Sequence, residues 1–194
     1  MKIGLLGGTF NPVHYGHLIN AEIIREAFQL DKVLFIPSRH PVHKVLEGNI
    51  SSDDRFKMVE LAVSENPYFE ASRIELDRPD ESYFITTIKQ LFTIYKNSEL
   101  FLLIGTDAFN EVDTWKNADQ LLQMLSFIIM ERPGYDQINT KIMRKAKDVK
   151  LINNPLIEIS SSGIRSNIRN GKSIRYLVPP DVGKYIIKKE LYKF

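Results

Sequence analysis

A short apolar run near the start of the chain ends in two consecutive glycines, Gly7 and Gly8. The run over residues 2–6 has the length and composition of a buried strand. Since glycine carries no side chain, the backbone after this strand can turn sharply and a ligand can approach it closely. Asn11 and Pro12 then interrupt regular structure, and a helical pattern begins. This order predicts a strand, a tight turn and a helix start at one place.

Two histidines, His14 and His17, fall at the beginning of that first helix. Their spacing places both on one face of its first turn. The first N–H groups of a helix have no partner within it, and the helix dipole is positive at this end. An anion is therefore favoured there, and two imidazoles would add hydrogen-bond donors. We predict that residues 7–17 form a cradle for a polyphosphate.

The rest of the chain alternates strand and helix patterns. We predict further strands over residues 32–37, about 69–74, 100–104, 126–130 and 149–152, with helices between them and after them. This alternation predicts an α/β fold, a doubly wound, Rossmann-like and mostly parallel sheet with helices on both faces. We expect one domain over residues 1–194, with its ligand crevice where the strand order reverses.

The second helix has a clear start signal. Ser51 and Asp54 have the spacing of a capping box. We expect Phe56, Val59 and Val63 to form the buried face of the helix that follows. The preceding segment, residues 38–50, has no periodicity and reads as a ligand-contacting loop at the end of the second strand.

Composition excludes several classes of protein. The 194 residues carry a net charge of +2 without a long run of Lys or Arg, so a nucleic-acid-coating surface is not expected. No stretch is long and apolar enough to span a membrane, and the chain enters a strand at once, which argues against a signal peptide. The chain has no cysteine, hence no disulfide and no thiolate zinc site. This fits a cytoplasmic protein.

A second candidate for the cradle lies near the carboxyl end, where Ser160, Ser161 and Ser162 precede a helix that contains Arg165. Serines at a helix start leave its first N–H groups free, and a guanidinium can fork onto phosphate oxygens. The alternative is that Ser161 and Ser162 only cap the helix and Arg165 is a solvated charge. In a doubly wound sheet this turn and the opening loop could face one crevice.

The four histidines form two pairs, His14 with His17 and His40 with His43. Four imidazoles could hold zinc. The second pair is not in a helical pattern, and no nearby carboxylate is an obvious partner for the rings, so we expect no metal site on the protein.

Two further positions have alternative interpretations. Trp115, the sole tryptophan, could stack on an aromatic ligand or pack partly into the core. Asp107 follows the apolar strand over residues 100–104 and Gly105, and it could accept hydrogen bonds from ribose hydroxyls or cap a helix.

These motifs resemble those of a known family. Residues 7–17 resemble the histidine-containing signature of the nucleotidylyltransferase superfamily, and residues 161–165 resemble its second signature. Within the superfamily the chain is similar to the bacterial nicotinate mononucleotide adenylyltransferases over essentially its whole length. Further matching pieces are His43-Lys44, Ser82-Tyr83, Gly105-Thr106-Asp107, Trp115 and Arg132-Pro133-Gly134.

The resemblance implies transfer of AMP from ATP to nicotinate mononucleotide, giving deamido-NAD and pyrophosphate, with Mg²⁺ required. It implies three groups of residues. The phosphate-binding and catalytic set is His14, His17, Lys44 and Arg165. The remaining ATP contacts are Gly8, Thr9, Phe10, Gly105, Asp107, Arg132, Ser161 and Ser162. The nicotinate mononucleotide contacts are Tyr83, Phe84, Thr87, Trp115 and Lys116.

Two positions depart from the family pattern, which usually has Thr where this chain has Phe84 and Tyr where it has Lys116. Both border the pocket that the resemblance implies for the nicotinate carboxylate. We hypothesise that Lys116 makes a charge-assisted contact to that carboxylate.

The sequence leaves three other functions open. They are a phosphopantetheine adenylyltransferase, a nucleotide-sensing protein without turnover, and a metal-binding structural protein. A homo-oligomer is also compatible with the sequence.

Overall fold

The computed structural model describes residues 1–39, 50–78, 83–131 and 137–193. Six strands form one sheet. They are β1 (Lys2–Gly8), β2 (Lys32–Pro37), β3 (Phe69–Ala71), β4 (Glu99–Gly105), β5 (Ser126–Met130) and β6 (Asp148–Ile152).

Eight α-helices lie within the described residues. They are α1 (Tyr15–Phe28), α2 (Ser52–Val63), α3 (Phe84–Ile94), α4 (Thr106–Asn110), α5 (Ala118–Met124), α6 (Thr140–Lys145), α7 (Ser161–Arg169) and α8 (Pro180–Lys188). A single 3-10 turn, Val112–Thr114, joins α4 to the segment before α5.

The strand order is β3-β2-β1-β4-β5-β6, and each pair of neighbours is parallel. The chain builds one half of the sheet outward from β1 and then returns to the other side of β1 to build the second half. The order therefore reverses between β1 and β4, which is where a doubly wound sheet opens a crevice at the carboxyl ends of its strands. This confirms the predicted fold class.

Helices cover both faces of the sheet because the central strands are apolar on both sides. On one face, α1, α2, α7 and α8 bury residues such as Ile24, Val59 and Ile164 against Val33 and Phe101. On the other face, α3, α4, α5 and α6 pack on the alternate side chains of the same strands. Two apolar cores thus hold the sheet rigid between them.

The predicted strands and helices lie close to the observed ones, but one buried face differs. The Ser51 side chain accepts the Asp54 N–H at 3.0 Å, and the Asp54 carboxylate accepts the Ser51 N–H at 3.2 Å, so the predicted capping box of α2 is present. Phe56, however, is only partly buried, and the fully buried side chain next to it is Arg55. No helix of the described ranges is long and apolar enough to cross a membrane.

Candidate active site

A cavity of about 990 Å³ lies at the carboxyl ends of β1 and β4. Both predicted halves of the cradle contribute to it, since the loop after β1 and the start of α7 line the same space. Fourteen of the predicted site residues line this cavity, namely Gly8, Thr9, Phe10, Tyr83, Phe84, Gly105, Asp107, Trp115, Lys116, His14, His17, Ser161, Ser162 and Arg165.

The glycine at the end of β1 has a close neighbour. A Cβ added at Gly8 would lie 3.1 Å from the Phe10 ring, which is tighter than ordinary packing allows. Phe10 has a φ of 47°, an uncommon left-handed conformation for an aromatic residue, and its ring is buried. The loop therefore folds back on itself and sends Phe10 into the core, while its backbone lines the cavity.

The two histidines form a stacked pair at the start of α1. Their ring centroids are 3.7 Å apart, and the rings are 28° from parallel. His17 Nδ1 accepts the backbone N–H of His14 at 3.3 Å. Because Nδ1 acts as an acceptor, the proton of the neutral His17 ring sits on Nε2. The Phe10 ring meets the His17 ring edge-on, with 5.1 Å between centroids, which restricts the orientation of the imidazole.

The start of α7 is tied to the opening loop by side chains. Ser160 caps the helix, since its Oγ accepts the Gly163 N–H at 3.1 Å. The Ser161 hydroxyl instead donates to the Pro12 carbonyl at 2.8 Å, and Arg165 donates to the Asn11 carbonyl at 2.8 Å. The capping role that we considered for Ser161 therefore falls to Ser160. Arg165 is therefore not a solvated charge, because its hydrogen bond joins α7 to the opening loop.

Aromatic side chains form another part of the cavity wall. Trp115 and Phe84 meet edge to face, with ring centroids 5.8 Å apart. Trp115 also packs partly against the core beneath α3 and α5, so both of its predicted roles are compatible with its position. The Lys116 ammonium lies 3.7 Å from the centroid of the Tyr83 ring, an arrangement that holds the cation at the cavity wall.

Thr87 lies elsewhere. It is fully buried in α3, and its hydroxyl donates to the Glu75 carboxylate at 2.7 Å and accepts from Arg78 at 2.9 Å. The residue is therefore not part of the cavity wall, and Glu75, its partner, lines the cavity in its place. The family resemblance implied a contact from Thr87 to the mononucleotide, but in this structure its side chain faces the protein interior.

Asp107 lies in the first turn of α4, at the cavity wall. The N-cap of that helix is Gly105, so Asp107 does not cap it. Thr106 anchors the turn, because its buried hydroxyl donates to the Met130 carbonyl at 3.0 Å. This contact fixes the backbone that carries Asp107.

Several predicted residues lie outside the described residues, namely Lys44, Arg132, His40 and His43. The second histidine pair of the zinc hypothesis is thus among them. Within the described ranges, no group of three or more His, Cys, Asp and Glu side chains is close enough to hold a metal ion.

Sequence reasoning assigned no role to two residues beneath the opening loop. Arg55 is 0% exposed, and it donates to the Thr9 carbonyl at 2.8 Å and to the Arg39 carbonyl at 3.0 Å. The Tyr192 hydroxyl donates to Asn11 Oδ1 at 2.7 Å. Burial raises the pKa of Tyr192, although Arg165 and Arg55 oppose this effect, so the hydroxyl keeps its proton and remains a donor. No local pattern marks either residue as functional.

Comparison with known proteins agrees with this geometry. The cytidylyltransferase-like family model matches residues 5–167, which include both halves of the cradle. The chain therefore belongs to the cytidylyltransferase-like family. It is 42% identical to a probable nicotinate-nucleotide adenylyltransferase of Desulfitobacterium hafniense (strain Y51), over 99% of this chain and 96% of the relative. It is 45% identical to a protein of the same name from Dictyoglomus turgidum, again over 99% and 96%.

These identities place the chain among the nicotinate-nucleotide adenylyltransferases of that family. A solved structure shows the same fold. It is a nicotinic acid mononucleotide adenylyltransferase of Plasmodium falciparum in complex with NaAD, with a TM-score of 0.82 and 23% identity. The match covers 100% of this chain and 98% of the solved chain.

Proposed function

We propose that this protein transfers AMP from ATP to nicotinate mononucleotide, which yields deamido-NAD and pyrophosphate in NAD biosynthesis. The observation that carries the proposal is the meeting of two helix N-termini, those of α1 and α7, at one cavity. They bring His14, His17, Ser161 and Arg165 to the same space. Such a site favours a polyanion. The curated relatives are named as adenylyltransferases, which indicates that the polyanion is the polyphosphate of ATP.

The two ends of the cavity suit the two substrates. The phosphates of ATP fit the end formed by the loop after β1 and the start of α7, where imidazoles, hydroxyls and a guanidinium gather. The adenosine fits beside Gly105 and Asp107, whose carboxylate can accept hydrogen bonds from ribose hydroxyls. The pyridine ring fits the end formed by Trp115, Phe84 and Tyr83, because aromatic faces stack on aromatic ligands.

The chemistry needs no protein nucleophile. The attacking group is the phosphate of the mononucleotide, which is largely ionised at neutral pH because its second pKa is about 6. It attacks the α-phosphorus in line, the bond to the bridging oxygen of pyrophosphate breaks, and pyrophosphate leaves. The protein aligns the two anions and stabilises the charge that builds on the departing group. His17, with Nε2 protonated, and Arg165 are donors suited to that charge.

The proposed reaction uses Mg²⁺ together with ATP. Mg²⁺ prefers oxygen ligands and commonly binds through one or two carboxylates plus substrate phosphates. Around the phosphate end, the described residues supply imidazoles, hydroxyls and a guanidinium, so phosphate oxygens would hold most of the ion's coordination. Bound in this way, the ion would neutralise part of the polyphosphate charge.

We also propose that residues 1–194 act as one nucleotidyltransferase domain, because both halves of the sheet supply walls of a single cavity. The absence of cysteine supports a cytoplasmic location for the enzyme.

The test is pyrophosphate release from ATP and Mg²⁺ in three parallel reactions, with nicotinate mononucleotide, nicotinamide mononucleotide or phosphopantetheine as acceptor. We expect strong release with the first alone. Equal release with the first two would mean that Phe84 and Lys116 have relaxed the choice of acceptor. Release only with phosphopantetheine would assign the chain to a sister activity. No release with any acceptor would favour a nucleotide-sensing protein, which binds without turnover.

A further inference from the structure

Arg55 is the largest fully buried side chain in the described part of the protein, with 0% exposure. A buried guanidinium normally has a carboxylate partner, because an isolated buried charge is costly. Arg55 has none among the described residues. Its hydrogen bonds go to two backbone carbonyls, those of Thr9 and Arg39, and its Nε has no partner within the described residues. Within the described residues, the fold thus buries a charge next to the anion site without a carboxylate to neutralise it.

Tyr192 lies against the same loop from the carboxyl end of the chain. It is 4% exposed, and its hydroxyl donates to the side-chain oxygen of Asn11. With Arg55, Arg165 and Ser161, it makes a set of donors that bind the oxygen atoms of residues 9–12. The contacts are Arg55 to the Thr9 carbonyl, Tyr192 to Asn11 Oδ1, Arg165 to the Asn11 carbonyl and Ser161 to the Pro12 carbonyl.

This arrangement has an electrostatic consequence. Carbonyl and amide oxygens are the negative ends of their dipoles and would repel phosphate if they faced it. Each oxygen named above is engaged by a donor, and two of the donors, Arg55 and Arg165, carry positive charge. The loop is thereby held in one orientation, with two positive charges behind it.

We propose that Arg55 and Tyr192 are positioning residues for the polyphosphate half of the site. Neither is among the residues that line the cavity. They act through Thr9 and Asn11, whose orientation they fix, and the Arg55 charge is balanced when anionic phosphates occupy the cradle. Arg55 also joins this loop to the end of β2, because it holds the Arg39 carbonyl with the same guanidinium. The inference rests on the proposed function only for the identity of the nucleotide.

A direct test uses inorganic tripolyphosphate, whose binding does not require turnover. Arg55→Met removes the charge and both hydrogen bonds at similar side-chain length. Arg55→Lys keeps the charge, but it lacks the guanidinium that donates to two carbonyls at once. We expect Arg55→Met to weaken tripolyphosphate binding at least about tenfold, with Arg55→Lys intermediate, because the loop loses two charge-assisted hydrogen bonds and the positive charge behind it. Calorimetric titration of each variant measures this.

Tyr192→Phe is the second variant. Unlike Arg55→Met it removes no buried charge, and it deletes one hydroxyl only. Its matched control is Tyr185→Phe. The Tyr185 hydroxyl donates to Asp54 of α2 at 2.8 Å. Like Tyr192→Phe, this variant removes one hydroxyl from the carboxyl-terminal region, but that hydroxyl does not contact the loop. We expect Tyr192→Phe to weaken tripolyphosphate binding and Tyr185→Phe to leave it unchanged.

Steady-state kinetics separate positioning from a general loss of structure. In Arg55→Lys and Tyr192→Phe, we expect a higher KM for ATP and a lower kcat, with the KM for nicotinate mononucleotide unchanged. Misplacement of a binding loop by about 1 Å can cost up to a hundredfold in rate. Unchanged tripolyphosphate binding in Arg55→Lys and Tyr192→Phe would overturn the proposal. So would Tyr192→Phe and Tyr185→Phe variants that bind both substrates equally weakly. If the wild-type protein binds tripolyphosphate but releases no pyrophosphate, the proposed function fails while the binding comparison still decides the roles of Arg55 and Tyr192.

Discussion

The imidazole of His17 lies against that of His14, with 3.7 Å between ring centroids, and its Nδ1 accepts the His14 backbone N–H. One nitrogen of His17 is thus used to close the first turn of α1. The other nitrogen carries the proton and is therefore a donor. This division of roles within one ring allows structural and catalytic effects to be separated by substitution.

We expect His17→Ala to lower kcat about a hundredfold to a thousandfold, because it removes an oriented donor to a developing charge. Its melting temperature should fall only slightly. Two matched variants locate the effect. The amide of Asn can replace Nδ1 as an acceptor, and the amide of Gln can replace Nε2 as a donor. His17→Asn should therefore be stable and slow, and His17→Gln should be less stable and faster. Near-normal turnover in folded His17→Ala would remove this residue from the site.

Lys116 offers a test of acceptor choice. Its ammonium lies over the Tyr83 ring at the aromatic end of the cavity. We expect Lys116→Met to reduce the preference for nicotinate over nicotinamide mononucleotide about fivefold to tenfold, since a charge-assisted hydrogen bond at an exposed position contributes about 1 kcal/mol. Lys116→Arg is the control and should keep the preference. The ratio of kcat/KM for the two acceptors is the measurement, and an unchanged ratio in Lys116→Met would refute the assigned contact.

Thr87 should behave as a structural residue. Its hydroxyl connects Glu75 and Arg78, both buried, so Thr87→Val leaves two charged groups without that partner. We expect a loss of about 1–3 kcal/mol in the free energy of unfolding, and Thr87→Ser should restore most of it. Denaturant unfolding gives the first quantity, and steady-state kinetics give the KM for nicotinate mononucleotide. If Thr87→Val raised this KM strongly at unchanged stability, Thr87 would be a direct contact to the mononucleotide.

The capping box of α2 predicts a dependence of stability on pH. Burial acts to raise the pKa of Asp54, but hydrogen bonds from Ser51 and Tyr185 outweigh it and hold the pKa below its ordinary value of 3.8. The folded state therefore binds this proton less readily than the unfolded state. The resulting stabilisation is present above pH 3.8 and is lost as the pH falls through the lower pKa of the folded protein.

The matching variant is Asp54→Asn. We expect it to be about 1 kcal/mol less stable than the wild type near neutral pH, as for loss of a helix cap, and the difference should close below about pH 4. Asp53→Asn is the control, because the Asp53 carboxylate pairs with Arg73 at an exposed site. Denaturant unfolding at several pH values gives both curves. A difference that persists at low pH would show that the Asp54 charge is not its source.

Local patterns in the sequence were enough to predict most of the fold. The apolar run before Gly7 predicted β1, the Ser51 and Asp54 spacing predicted the start of α2, and the alternation of elements predicted a doubly wound sheet. These features depend on neighbouring residues, since strand and helix periodicity, glycine turns and caps act over a few positions. Fourteen of the residues that line the cavity were also expected in advance, because their motifs resemble those of a known family.

Only the tertiary structure decided which side chains support the site from behind. Arg55 stands in a helix beside Phe56, and nothing local distinguishes it from a solvated cation, yet the packing of α2 turns it inward to Thr9. Tyr192 reaches Asn11 from 181 positions away in the chain. The resemblance placed Thr87 among the mononucleotide contacts, whereas the packing of α3 buries it beside Glu75 and Arg78. The sequence determines what each segment becomes, but long-range packing determines which buried charge and which hydroxyl meet the anion-binding loop, because those contacts join residues 46 and 181 positions apart in the chain.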